Sequence, residues 1–151
     1  MEIKVVSGWF DAELHNVKQG FNLSLFKALN PPWMPAKVVR FDGCSPGDVV
    51  RLKLGLWPIQ MDWESQITEE KTGLDAWYFV DEGVLLPFFL QKWTHVHRVE
   101  SQHGRCRVID HIELEFRSGV WAWLFMPLMR QQFAYRKPIY AKRLWGAPLA
   151  S

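Results

Sequence analysis

The sequence predicts an α+β fold: a curved antiparallel sheet of seven strands wrapped around one long C-terminal helix, with two short helices between strands one and two. Three observations predict it. Turn signals punctuate the middle of the chain at Asp42-Gly43, Ser45-Pro46-Gly47, Trp57-Pro58, Lys71-Thr72-Gly73 and His103-Gly104, and connections this short join antiparallel neighbours rather than crossover units. The segments between them alternate apolar and polar residues, the period of a half-buried strand. After Phe116 the period changes, and Phe125, Met129, Phe133, Tyr140 and Leu144 recur at spacings of four or seven, one face of a helix.

Residues 2–8 (EIKVVSG) read as the first strand. Residues 9–19 carry a helical pattern that Gly20 stops, and residues 22–29 form a second helix with Asn22 as its N-cap. Asn30-Pro31-Pro32 ends it, because proline cannot continue the hydrogen-bond ladder. Six strands follow at 36–41, 48–57, 60–69, 75–80, 88–102 and 105–116, and the length of the last two predicts strong curvature. The helix spans 120–145, with a kink or a late start expected at Pro127 and a distortion near Pro138. Residues 147–151 are expected to fray. The sheet must cover its apolar face, and this helix is the one element large enough to do so. The space between them is the natural ligand site.

Composition narrows the classes. A chain of 151 residues is expected to form one ligand-binding domain, 1–151. The apolar share of 48% excludes intrinsic disorder. A net charge of +2, from 18 basic and 16 acidic residues, gives no electrostatic case for nucleic acid. Cys44 and Cys106 are too few for a disulfide framework. Residues 1–6 lack an apolar signal core, and the longest run without charge, 118–129, is well short of the ~20 residues of a membrane helix. A cytoplasmic protein with free thiols and no integral membrane segment is expected, either a monomer or a homodimer. The 9 Trp and 10 Phe imply a large aromatic core or a cavity lined with flat apolar surface.

Alternation assigns the faces. Val50, Leu52, Leu54 and Leu56 share an inward side, as do Met61, Trp63, Ser65 and Ile67. In the first long strand Phe89, Gln91, Trp93, His95, His97 and Val99 form the more aromatic face, free of fixed charge, which is placed inside. In the second, Asp110 points inward with Val108 and Ile112. If His103-Gly104 turns the hairpin, Asp110 lies near the level of His95 and His97. A buried carboxylate is costly unless it is paired. The cluster reads either as a functional His–Asp site or as a structural network that satisfies three polar side chains or bridges a buried water. The expected ligand-binding residues are Trp63, Trp93, His95, His97, Asp110, Met129 and Phe133.

These residues carry a resemblance. The runs FVDEGVLLPFFLQKWTHVHRVE (79–100), VIDHIELEF (108–116), FAYR (133–136) and LFKALNPPW (25–33) resemble the SRPBCC proteins of the START-like, helix-grip superfamily, which includes polyketide cyclases and pollen-allergen-like lipid binders. The Trp93-x-His95-x-His97 run is the most specific of these marks. The resemblance implies seven antiparallel strands wrapped on a C-terminal helix and a hydrophobic small molecule, lipid or polycyclic, held between them. Two departures stand out: Leu86 where the family tends to have glycine, and Pro138 inside the expected helix.

The chemistry is weighed on the residues. No G-x-S-x-G, phosphate loop or H-E-x-x-H is present. His95-x-His97 with Asp110 offers three metal-ligand types, but this spacing is common by chance on strands, so no metal and no cofactor is expected. Binding of a small hydrophobic ligand is the preferred reading. The alternative is a cyclase- or dehydratase-like enzyme in which His95 or His97, oriented by Asp110, is the general base. A third reading is a protein-interaction module built on the apolar stretch 120–126, which otherwise closes the cavity from below.

Overall fold

A computed structural model describes residues 1–56 and 58–145. Trp57, expected at the end of a strand, and the tail 147–151, expected to fray, lie outside the described residues. The elements run β1 (Glu2–Val6), β2 (Phe10–Asp11), α1 (Leu14–Gly20), α2 (Leu23–Ala28), β3 (Ala36–Phe41), β4 (Val49–Leu56), β5 (Ile59–Thr72), β6 (Ala76–Leu85), β7 (Leu90–Gln102), β8 (Arg105–Phe116) and α3 (Gly119–Leu144). The sheet order is β1-β8-β7-β6-β5-β4-β3, antiparallel at every pairing, with β2 also paired to β8. The predicted α+β architecture is therefore present, and the chain has the helix-grip layout of a curved sheet against one long helix.

Four differences from the sequence reading have local causes. The helix expected from residue 9 begins at Leu14, because Phe10 and Asp11 pair with Cys106 and Arg105 of β8 and bury the Phe10 ring. The two short helices consequently follow β2. The strand expected at 75–80 continues to Leu85, and the one expected at 60–69 runs from Ile59 to Thr72. Leu56, assigned inward, is 72% exposed. Gly55 adopts φ +96, where an added Cβ would meet the Ile59 carbonyl oxygen at 2.5 Å, so the strand turns there and the alternation lapses. The late start considered at Pro127 does not occur: Ser118 caps the helix by accepting the Trp121 N–H, and α3 continues through both prolines.

Bulges between Val38 and Arg40, Glu64 and Ser65, Ile67 and Glu69, and Leu90 and Lys92 interrupt the ladders. Each adds local twist, and together they curl the sheet around α3. The helix presents Met126, Met129, Phe133, Arg136, Tyr140 and Leu144 to the concave face, at spacings of three and four. Two apolar clusters result. One gathers Phe10, Val17, Leu25, Trp77 and Val108 beneath α1, α2 and the C-terminal end of α3. The other joins Trp63, Trp93, Leu114, Met126 and Phe133 under the N-terminal half of α3. The stretch 120–126 is two-faced: Ala122 and Met126 are buried, whereas Val120, Trp123 and Leu124 are exposed.

Candidate functional site

A cavity of about 270 Å³ lies between the sheet and α3. Trp63, Trp93, Met129 and Phe133 form its apolar walls, and Asp81, His95, His97 and Arg136 its polar end. Trp63 meets Trp93 edge-to-face at 4.8 Å, and Phe133 stands edge-on to His95 at 5.3 Å. Six of the seven expected ligand residues border this space. Asp110 is the exception: it is fully buried behind the histidines, outside the cavity wall.

Register explains the polar end. Asp81 on β6 stands opposite His95 on β7, and Asp110 on β8 stands opposite His97. All four side chains therefore share the concave face. Each carboxylate bonds to the diagonal histidine rather than the one directly across. His95 Nε2 lies 2.8 Å from Asp110 Oδ1, and His97 Nε2 lies 2.8 Å from Asp81 Oδ2. The direct neighbours approach at 3.5 Å (His95 Nδ1 to Asp81 Oδ2) and 3.3 Å (His97 Nδ1 to Asp110 Oδ1). Tyr140 donates its hydroxyl to Asp110 Oδ2 at 2.8 Å, Trp93 donates its indole N–H to Asp81 Oδ1 at 3.1 Å, and Arg136 Nη1 stands 4.0 Å from Asp110 Oδ1. The guanidinium also lies 4.3 Å from the Phe133 ring centre.

Protonation follows from these partners. Burial pushes the Asp110 carboxyl up, but the bonds from His95 and His97 and the charges of the rings and Arg136 outweigh it and hold the group well below the usual carboxylate range. Asp81 is likewise lowered, the His97 bond and the two imidazole charges overcoming burial. Burial, with the neighbouring His97 charge, takes His95 down to about 4 against the pull of Asp110. His97 moves up, since its bonds to Asp110 and Asp81 exceed its burial cost. The two carboxylates stay ionised beside the Arg136 guanidinium, while His95 stays neutral near pH 7. A neutral His95 that donates from Nε2 to Asp110 presents a bare Nδ1.

Sequence reasoning missed Asp81 and Arg136. Continuing the inward alternation Trp77, Phe79 by two residues reaches Asp81, and Arg136 follows Phe133 by three on the helix face.

Cys44 also borders the cavity, and burial, then the Asp48 charge, pushes its thiol up to about 12. Cys106 is fully buried and also raised by burial. A raised thiol pKa leaves little thiolate at neutral pH, and thiolate is the reactive form. The folded protein is expected to resist a disulfide-exchange reagent at pH 7.5, with both thiols released in denaturant. Rapid labelling of either in the native state contradicts the placement.

No protein-family model matches the chain, and no curated protein sequence does either. Solved structures do. The Zhui aromatase/cyclase from Streptomyces sp. R1128 superposes with a TM-score of 0.72 at 10% identity, covering 100% of this chain and 98% of that one. Norcoclaurine synthase from Thalictrum flavum gives 0.66 at 9% identity over 95% and 93% of the two chains. Ara h 8.0201 gives 0.58 at 11% identity over 95% and 96%. The chain has the START-like, helix-grip fold of SRPBCC proteins. Among the described residues no helix is long and apolar enough to cross a membrane.

Proposed function

We propose that residues 1–151 act as one domain that binds a small, flat, largely apolar molecule between the sheet and α3, with the ligand's polar group turned toward Asp81, His95 and His97. The cavity carries this reading. Its walls are aromatic and its polar groups converge at one end, the pattern of a site that takes apolar bulk and fixes orientation with few hydrogen bonds. Norcoclaurine synthase, which shares the fold, holds dopamine and hydroxybenzaldehyde, and the aromatase/cyclase is named for aromatic products. Both support an aromatic or polycyclic occupant.

Trp63 and Trp93 report on the cavity. Adding flat polycyclic compounds or fatty acids is expected to change tryptophan emission and raise the melting temperature, by about 2.7 kcal/mol of stability at a hundredfold excess over Kd. Ser65, buried on the cavity wall, supplies the control. Ser65→Phe fills the space and is expected to weaken binding more than tenfold while the chain still folds cooperatively. The proposal fails if no such compound alters emission or stability, or if Ser65→Phe binds like the parent.

A second reading, acid–base catalysis of a cyclisation or dehydration, is favoured by one observation. His95 is fixed by Asp110 through Nε2 and borders the cavity, the placement a general base needs. Its lowered pKa makes it a weak base, so ligand binding remains the conclusion. Turnover of a poly-β-ketone that vanishes in His95→Gln, with affinity retained, reverses that order.

A further inference from the structure

Asp81, His95 and His97 form a second pattern within the polar end. One donor atom from each lies within 4.8 Å of the others. Asp81 Oδ2 is the shared corner, 2.8 Å from His97 Nε2 and 3.5 Å from His95 Nδ1. A first-row metal ion holds imidazole nitrogen and carboxylate oxygen at roughly 2.0–2.2 Å, which sets adjacent donors about 3–3.5 Å apart. We propose that Asp81, His95 and His97 form a two-histidine, one-carboxylate site for a divalent transition-metal ion, with the remaining coordination positions open to the cavity.

Three further observations carry the proposal. The first is the way His95 is held. Its Nε2 is engaged by Asp110 at 2.8 Å, which leaves Nδ1 as the nitrogen on the Asp81 side, 3.5 Å from Oδ2 and outside the bonds that hold the ring.

The second is the outer shell. A metal-bound histidine ordinarily donates its other N–H to a carboxylate, and the metal-bound carboxylate is itself hydrogen-bonded. Here Asp110 Oδ1 lies 2.8 Å from His95 Nε2 and 3.3 Å from His97 Nδ1, the far nitrogen of each ring. Trp93 bonds Asp81 through the oxygen that the site leaves unused. Tyr140 and Arg136 in turn hold Asp110. The sequence reading expected no metal and named Asp110 only as the third ligand type on offer; the structure puts it behind both rings, where it holds His95.

The third is layering. Asp81, His95 and His97 border the cavity, whereas Asp110 and Tyr140 lie behind them. A divalent ion plus Arg136 then exceeds the two carboxylates by one positive charge, which an anionic or carbonyl oxygen of a cavity ligand balances. The two-histidine, one-carboxylate set with open positions suits zinc or ferrous iron better than calcium or magnesium, which take oxygen.

The test uses tag-free protein stripped with chelator and titrated with Zn²⁺ and Co²⁺. It is separable from the apolar-ligand assay, which is run without added metal, so either can fail alone. The expected result is about one tightly bound equivalent, visible Co²⁺ bands that Zn²⁺ abolishes, and X-ray absorption of the zinc-loaded parent protein showing two imidazoles. Asp81→Asn and His97→Ala should weaken binding more than about 100-fold, and Asp110→Asn about 10- to 100-fold. The surface group of Glu2, His111 and Glu113 offers one imidazole only, so His111→Ala should leave binding unchanged. The parent protein decides the matter even where a variant fails to fold. Absence of stoichiometric binding, a single imidazole in the absorption spectrum, or loss of binding in His111→Ala overturns the proposal.

Discussion

Replacing Asp110 with alanine is expected to lower stability by about 3–5 kcal/mol, the usual cost of removing one partner from a buried ionic network. The carboxylate is inaccessible to solvent and accepts from His95 and Tyr140, with Arg136 alongside. Its removal strands a charged guanidinium that has two nitrogens without a hydrogen-bond partner among the described residues. It also leaves the Tyr140 hydroxyl buried without an acceptor, a further penalty of order 1–3 kcal/mol already contained in that range. Asp110→Asn keeps the volume and one acceptor oxygen, so its loss should be smaller. Urea denaturation of the three proteins measures both. A cost below about 1 kcal/mol for Asp110→Ala means that the network does not hold the sheet to α3.

Trp77→Ala is expected to cost about 3–5 kcal/mol, and Trp63→Ala distinctly less. Trp77 is 1% exposed and does not border the cavity. Phe21 meets it edge-on at 5.2 Å, Phe79 packs at 5.1 Å, and its indole N–H donates to Glu70. Truncation there opens a void that close-packed neighbours cannot fill. Trp63 already borders the cavity, so its truncation enlarges an existing space and forfeits fewer contacts. Function should divide the other way: Trp63→Ala alters the affinity for polycyclic compounds, and Trp77→Ala leaves it within about twofold wherever the protein is folded. Equal stability losses in the two variants contradict the placement of Trp77 away from the cavity and Trp63 on its wall.

The regular parts of the fold were legible because period and punctuation agree. Lysine, arginine and glutamate alternate with valine, leucine and tryptophan along β4, β5, β7 and β8, and glycine turns bound them. What escaped depends on contacts that a period does not encode. The two residues of β2 are too few to show alternation, and Cys106 across the sheet fixes their state. Asp81 escaped because Asp81-Glu82-Gly83 has the composition of a turn, whereas β7 holds it in the ladder through Asp81↔His95. His95, His97 and Asp110 were legible as inward-facing, yet the diagonal pairing was not. It follows from which oxygen each ring reaches, a matter of rotamer and register together.

Pro127 and Pro138 look, in the sequence, like obstacles to α3. They stand eleven residues apart, close to three turns, so both fall on one side, and both are exposed. Each lacks the N–H that would reach the carbonyl four residues before it, at Trp123 and Ala134, which also lie on the outer side. The freed carbonyls therefore lie on the exposed side of α3. The two missing rungs thus lie on the outer side, and the face that borders the hollow, with Met129, Phe133 and Arg136, carries no proline.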